Sequence, residues 1–245
     1  LTALAKSGQA GTPRALWLSG TIAVKLAPGA VAALSGDPRI ARLWLDDMPS
    51  RTFGEPAAAA TDGTTTTGEA AADKALAWHL TAIGADQAWA TGNTGAGVLV
   101  GHLDGGIAYD HPDITAHMWD GGAAFPHHGW DAVDNDNDPY DGDASWHHGS
   151  HTAGLIAGDG ASGTKTGAAP GARLMALRVV PGYLADLVEG MQFGLDHGVQ
   201  MFSMSAGWSQ ATVDVRGANR YNAEMLLAVD VPWVAAAGNG SATGH

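Results

Sequence analysis

The stretch VLVGHLDGGI, residues 98–107, decides how this chain of 245 residues folds. Its first six residues are almost continuously apolar, which is typical of a strand that is covered on both faces of a parallel sheet. The apolar run ends at Asp104 and two glycines follow it, so the strand is expected to end on a carboxylate at a turn. Parallel strands are joined by crossover helices, and the stretch therefore predicts helices on the faces of the sheet.

The sequence after residue 73 repeats this alternation of strand and helix patterns. Apolar runs predict further strands at 173–180, 199–203 and 232–237. Helical patterns are found at 149–157, 184–195 and 219–229. Residues 73–245 are therefore predicted to form an α/β domain, a doubly wound and mostly parallel sheet with helices on both faces.

Residues 14–47 are predicted to form a separate small α+β unit. Its strands are expected at 15–18, 21–26 and 40–45, and its helix at 28–35, where Pro28 occupies the first turn. Residues 48–72 are rich in Ala, Thr, Gly and Pro and have little to bury, so they predict a flexible linker.

Composition excludes several classes of function. The chain has 25 acidic and 12 basic residues, a formal charge of −13, which argues against nucleic acid or an anionic membrane as a partner. It contains no cysteine, so disulfides and thiolate metal sites are excluded. No stretch approaches the roughly 20 apolar residues that a membrane span needs.

Three polar residues stand where predicted elements begin or end. Asp104 ends one strand, His148 opens a helix and Asn239 follows the last strand. In a parallel sheet, chemistry gathers at the carboxyl ends of the strands. An imidazole can take a proton from a hydroxyl, a carboxylate can orient that imidazole, and an amide can stabilise an oxyanion. The three residues therefore predict nucleophilic catalysis at this edge.

The segments around these residues resemble those of subtilisin-like serine proteases (subtilases), in particular the bacillopeptidase F-like branch. The resemblance covers nearly all of residues 75–245 and implies Asp104 and His148 as members of an Asp-His-Ser triad and Asn239 as the oxyanion amide. It also implies a strand that binds the backbone of a protein or peptide substrate, formed by Ser205, Ala206 and Gly207. The segments that carry the resemblance are Gly97–Asp113, Gly129–Gly158, Gly167–Val180, Met201–Gly207 and Val231–Gly240.

The family's nucleophile is expected several dozen residues beyond the oxyanion asparagine, whereas six residues follow Asn239 here. We therefore expect this chain to be a fragment that lacks the nucleophilic serine and is inactive alone. The alternative is a pseudoprotease, a protein-binding module on the same fold. The gene sequence after His245 and labelling by a fluorophosphonate distinguish the two.

The resemblance extends to residues 14–47, which are similar to the second half of the family's inhibitory propeptide. It implies a zymogen in which this unit assists folding and blocks the cleft until the chain is cleaved within 48–75. It also implies export from the cell as a secreted protein.

An acidic loop precedes the predicted catalytic histidine. Six aspartates lie between residues 131 and 143, and the alternation of three of them suits a hard cation such as Ca²⁺. The segment 129–136 also resembles a calcium loop of thermitase-like subtilases. That resemblance implies a structural Ca²⁺ bound by Asp131, Asp134, Asp136 and Asp138. A solvated acidic turn is the alternative.

Several histidines invite other interpretations. Five lie between residues 127 and 151, but no carboxylate-flanked pair has the spacing of a zincin helix, so zinc is disfavoured. His151 is expected to pack and hydrogen-bond beneath the site. His102 shares a strand face with Asp104 and is expected to be a satisfied core histidine without a role.

Overall fold

The computed structural model describes residues 1–43, 45–46, 51–52, 75–142, 147–207 and 230–236. The longer helices are α2 (Pro28–Ser35), α5 (His148–Ala157) and α6 (Leu184–Asp196), and the shorter ones are α1 (Thr2–Lys6), α3 (Trp78–Ala82) and α4 (Ala85–Ala90). The strands are β1 (Arg14–Leu16), β2 (Thr21–Ala23), β3 (Arg51–Thr52), β4 (Ala75–Leu76), β5 (Leu99–Asp104), β6 (Gly129–Asp131), β7 (Thr164–Lys165), β8 (Arg173–Arg178), β9 (Met201–Met204), β10 (Ala206–Gly207) and β11 (Trp233–Ala235). Two single 3₁₀ turns span Thr115–His117 and Gly122–Ala124.

Strand β5 lies at the centre of a five-stranded sheet in the order β11-β9-β5-β8-β6. All four pairings are parallel, with Asp104 opposite Arg178 on one side and Leu103 opposite Met204 on the other. The carboxyl ends of the strands therefore meet at one edge. The predicted parallel α/β class is confirmed.

Helices cover the central strands from both sides. Helix α6 packs against β5, β8 and β6, and its contact face contributes Leu187 and Met191 to a core that includes Phe202. Helix α5 packs against β5 and β8 on the other side, where Ala153 and Ala157 contact a second core around Leu174. Burial on both faces explains why the interiors of β5 and β8 are largely apolar in sequence.

Phe202 requires glycine on two neighbouring elements. A Cβ added at Gly101, on β5, would lie 2.7 Å from Phe202 Cδ1, and one added at Gly194, on α6, would lie 2.8 Å from Cε1. Both distances are shorter than van der Waals contact, so the ring fills the space that the two missing side chains leave.

The N-terminal hairpin of β1 and β2 lies against the outer face of α6. Leu16 is 3% exposed and packs on Ala185 and Val188 of that helix. The predicted helix at 28–35 is confirmed as α2. The predicted strand at 40–45 is wrong: residues 40–43 and 45 form no strand, and Leu43 and Leu45 are 41% and 78% exposed. An alternating pattern forms a strand only where a neighbouring strand satisfies its backbone.

Other differences from the predicted elements are small. Strand β6 was not predicted, because three residues are too few to show a periodicity. Arg51–Thr52, within the predicted linker, forms strand β3, while most of 48–72 and the predicted helix at 219–229 lie outside the described residues. Within the described ranges, no helix has the length and apolarity needed to cross a bilayer.

The substitution Gly101→Ala should lower the free energy of unfolding by about 1–3 kcal/mol, since the new methyl group must displace Phe202. Urea unfolding of the protein expressed from its complete gene measures this change. Gly29→Ala is the matched control, because nothing lies within 4 Å of a Cβ at that position in α2. Equal unfolding midpoints for Gly101→Ala and the control would contradict the packing described.

Candidate active site

The structure brings Asp104 and His148 into hydrogen-bond contact. Asp104 is the last residue of β5 and His148 the first residue of α5. His148 Nδ1 lies 2.8 Å from Asp104 Oδ1 and 3.0 Å from Oδ2. The carboxylate is fully buried, whereas the side chain of His148 keeps 11% of its surface exposed. The imidazole therefore lies between a buried anion and the surface of the protein.

A glycine allows the two elements to approach so closely. A Cβ at Gly149, the second residue of α5, would lie 2.0 Å from the carbonyl oxygen of Gly106 and 3.3 Å from Asp104 Cβ. No other residue type fits there without separating the helix from the end of β5. The Gly after the predicted catalytic histidine is thus part of the geometry of the pair.

Asp141 fixes the first turn of α5 from the preceding loop. This carboxylate is 3% exposed and accepts hydrogen bonds from the N–H of Ser150 at 3.1 Å and from its hydroxyl at 2.7 Å. Ser150 Oγ in turn accepts the N–H of Ala108 at 2.8 Å. Asp141 therefore caps the helix that carries His148. Sequence reasoning counted Asp141 only as part of the acidic loop, because capping from a distant loop has no local signature.

The charge of Asp104 is compensated by several donors. Burial raises the pKa of the carboxyl group. The hydrogen bond to His148, the neighbouring imidazoles and the N–H of Gly105 at 2.7 Å lower this pKa, and together they outweigh burial. The pKa of Asp104 therefore lies below its ordinary value. Asp104 is therefore ionised at neutral pH. An ionised carboxylate holds the proton of the neutral imidazole on Nδ1 and leaves the ring lone pair on Nε2, as a general base requires.

Thr152 and His102 form a layer beneath the carboxylate. Thr152 Oγ1 lies 3.2 Å from Asp104 Oδ2 and 3.0 Å from His102 Nε2, and His102 Nε2 lies 3.1 Å from the carbonyl oxygen of Gly149. His102 is 1% exposed, and burial lowers its pKa. The prediction of a satisfied core histidine is wrong for one ring nitrogen, since His102 Nδ1 has no hydrogen-bond partner in the described part of the chain.

The prediction that His151 lies beneath the site is also wrong. His151 is exposed, whereas Gly149, Ala153 and Ala157 are the buried residues of α5. The spacing of four residues places these three on the sheet side of the helix and turns His151 to the surface. Thr152 is the residue of α5 that lies beneath Asp104. Its role could not be predicted, because a single polar residue within an apolar helix face forms no recognisable pattern.

The predicted substrate strand follows β9 at the same edge of the sheet. Ser205 is the residue between β9 and β10, and Ala206 and Gly207 form β10. Strand β10 pairs antiparallel with β3, with Ala206 opposite Thr52 and Gly207 opposite Arg51. This edge therefore accepts an extended peptide segment. Asn239 lies outside the described residues.

The four predicted calcium ligands do not converge on one point. Arg178 donates hydrogen bonds to both Asp131 and Asp134. Asp136 instead accepts the N–H of Asp138 at 2.9 Å, and Asp138 accepts the hydroxyl of Tyr109 at 2.9 Å. No group of three His, Asp or Glu side chains in the described ranges is arranged to hold a metal ion. As described, these side chains do not fit a calcium cage, and calcium at this loop stays a prediction.

Comparison with known proteins agrees with this geometry. The model of the subtilase family matches residues 95–245, more than half of the chain. The chain is similar to the minor extracellular protease Vpr of Bacillus subtilis (strain 168), with 35% identity over 136 residues that cover 51% of this chain and 16% of Vpr. It is similar to thermitase of Thermoactinomyces vulgaris, with 32% identity over 172 residues that cover 66% of this chain and 54% of thermitase.

A solved structure, that of fervidolysin from Fervidobacterium pennivorans, a keratinolytic enzyme related to subtilisin, is similar at 26% identity. The similarity covers 69% of this chain and 25% of that one, with a TM-score of 0.48. The matched part of this chain spans about a sixth of the length of Vpr and about half of the length of thermitase. From the match of the family model over residues 95–245, the chain belongs to the subtilase family.

Proposed function

We propose that the protein containing this chain is a serine endopeptidase of the subtilisin type. The observation that carries the proposal is the hydrogen bond from His148 Nδ1 to the buried Asp104, in a chain of the subtilase family. This contact between imidazole and buried carboxylate supports the assignment of Asp104 and His148 as two of the three triad residues. The third is a serine within reach of His148 Nε2, and no residue between 1 and 245 is assigned that role.

The proposed mechanism uses each residue for one task. His148 takes the proton of the nucleophilic serine as it attacks the scissile carbonyl, and returns it to the leaving amine. Asp104 holds the imidazole in the required tautomer and stabilises the imidazolium that forms. Asn239 and backbone N–H groups stabilise the oxyanion. Protein or peptide segments are the substrates.

The edge strand β10 is the proposed site for the substrate backbone, together with Ser205. Its antiparallel pairing with β3 supports this role, because an extended segment of the same chain already forms hydrogen bonds there. Backbone pairing provides affinity that does not depend on the substrate's side chains. We assign no preference for a particular side chain.

Residues 14–47 are the proposed inhibitory propeptide unit, and four contacts with α6 support that role. Arg14 forms ion pairs with Asp186 at 2.7 Å and with Glu189 at 2.6 Å. Asp46 accepts the N–H groups of Leu184 and Ala185 at the start of α6, at 3.2 and 2.9 Å. Docked in this way, the unit leads the chain toward β3, which occupies the proposed substrate edge. The precursor would therefore be a zymogen that is released by cleavage within 48–75.

Export is proposed on the names of relatives. Vpr is named as an extracellular protease, and a halolysin-like relative from Natrialba magadii is named in the same way. The negative formal charge of −13 suits a protein that acts in solution without nucleic acid.

The variant His148→Ala should lose covalent labelling by a fluorophosphonate probe by at least about a thousandfold, because the serine then lacks its general base. The measurement is the labelling rate of the protein expressed from its complete gene. His151→Ala is the control, since this histidine of the same helix is exposed. A correctly folded wild-type protein that is not labelled would support the pseudoprotease instead.

Charge reversal at Arg14 should weaken the inhibition of the precursor by its propeptide unit. In the precursor, Arg14→Glu places a carboxylate against Asp186 and Glu189, so the propeptide unit should dissociate more often. We expect the precursor to be labelled by the same probe about tenfold faster than the wild type. Arg39→Glu is the matched control, because among the described residues Arg39 forms its ion pair with Asp37 of its own unit. Equal labelling rates for the two variants would argue against docking on α6.

Calcium binding to the acidic loop must compete with Arg178 for two carboxylates. We therefore expect added Ca²⁺ to raise the Tm of the wild type only slightly and that of Arg178→Gln by several degrees more, because the variant releases Asp131 and Asp134. Thermal unfolding with Ca²⁺ and with a chelator measures the difference. A Tm that is independent of calcium in both proteins would remove this metal site.

A further inference from the structure

The carboxylate of Asp104 has two oxygens, and both lie within hydrogen-bond distance of His148 Nδ1. Oδ1 accepts hydrogen bonds from His148 and from the N–H of Gly105. Oδ2 lies 3.0 Å from His148 Nδ1, but it is also 3.2 Å from Thr152 Oγ1 and 4.0 Å from His102 Nε2. A buried anion is stable only when its lone pairs are satisfied, so the direction of the Thr152 hydroxyl proton matters.

The hydroxyl of Thr152 has several competing acceptors. Besides Asp104 Oδ2, it lies 3.0 Å from the carbonyl oxygen of His148 and 3.2 Å from that of Gly149, both within α5. A threonine in a helix commonly donates to such a carbonyl of the preceding turn. Because the hydroxyl has a single proton, Thr152 donates to Asp104 only if that acceptor is favoured over the two carbonyl oxygens.

The tautomer of His102 provides that preference. A carbonyl oxygen only accepts hydrogen bonds, so the 3.1 Å contact with Gly149 requires the proton of His102 on Nε2. The same N–H then also faces Thr152 Oγ1 at 3.0 Å, and the threonine oxygen acts as an acceptor on that side. Its own proton is directed away from His102, and among the acceptors that remain the ionised carboxylate oxygen Asp104 Oδ2 forms a stronger hydrogen bond than the two carbonyl oxygens.

The remaining nitrogen of His102 agrees with this assignment. Nδ1 is buried without a hydrogen-bond partner in the described structure, a position that tolerates a lone pair better than an N–H. The titratable groups around the ring are Asp104 on its own strand, His148 at the start of α5 and Asp141 in the preceding loop. Burial outweighs the attraction of the two carboxylates and lowers the pKa of His102, so the ring stays neutral.

We propose that His102 is a positioning residue of the active site, which directs the Thr152 hydroxyl proton onto Asp104 and so holds the carboxylate in line with His148. The inference rests on the proposed function for its effect on catalysis. His102 touches neither substrate nor the reacting atoms, and it acts only through Thr152 and Asp104.

Two variants, His102→Leu and Thr152→Val, test the contacts through which His102 acts on Asp104. Both are made in the protein expressed from its complete gene. Each should lower kcat by about tenfold with little change in KM, because a donor to a buried charge is lost while the substrate contacts remain. The acid limb of kcat/KM should move to higher pH, since a carboxylate with one donor fewer holds the proton of His148 more strongly. The double variant should be no worse than either single one.

Conservative variants separate positioning from packing. His102→Gln keeps a donor near the position of Nε2 and Thr152→Ser keeps the hydroxyl, so both should retain most of kcat and the wild-type pH profile. Thr166→Val is the matched control, because this hydroxyl donates to Gly154 of the same helix at 2.9 Å and does not contact Asp104. Wild-type kcat and an unmoved acid limb in both His102→Leu and Thr152→Val would overturn the proposal.

A measurement that does not need activity separates this inference from the proposed function. The Nδ1 proton of His148, bonded to a buried carboxylate, should give a low-field proton NMR signal in the wild-type protein. In Thr152→Val, which changes little in shape, this signal should shift because Asp104 has lost a donor. An identical signal in Thr152→Val would contradict the positioning role, whereas absence of probe labelling in the wild type would contradict only the serine peptidase.

Discussion

A buried carboxylate that must be neutralised by its neighbours organises this structure. Asp104 is fully buried at the end of the central strand, and desolvation alone would make its charged form costly. The cost is offset because the first two turns of α5 bring His148 and Thr152 to the carboxylate, while Gly105 donates from the backbone. That approach in turn depends on Gly149, where any side chain would meet the backbone of Gly106. The packing of α5 against the end of β5 and the burial of the Asp104 charge therefore depend on each other.

Helix α6 connects the site to the N-terminal unit. One side of this helix packs on the sheet through Leu187 and Met191, and the other side contacts the hairpin through Val188. Its first turn is capped by Asp46 from outside the sheet domain. Burial raises the pKa of Asp46 even though the capping N–H groups act against it. The same helix thus stabilises the central strands and binds the N-terminal segment.

The strands and longer helices could be predicted because their signals are local. Largely apolar runs predicted β5 and β8, and helical spacing predicted α6. The contact between Asp104 and His148 followed from the rule that the ends of parallel strands share an edge. Pairing partners are not local, which is why the strand predicted at 40–45 failed and β6 was missed.

The second layer of the site could not be predicted for a related reason. Thr152 and His102 lie fifty residues apart in sequence, and neither residue has a pattern that points to the other. Asp141 was hidden among neighbouring aspartates, although its burial makes it a helix cap and not a solvated charge. Arg178 was not considered as a partner of the acidic loop, because only the sheet register brings it opposite Asp131. Such contacts follow from the fold and not from the spacing of residues.

The most direct test of the central claim is a crystal structure of the full-length protein after reaction with a fluorophosphonate. We expect one modified serine, with its Oγ within about 3 Å of His148 Nε2 and with His148 Nδ1 still bonded to Asp104. A modified serine remote from His148, or an imidazole that has left Asp104, would contradict the assignment of this pair as catalytic.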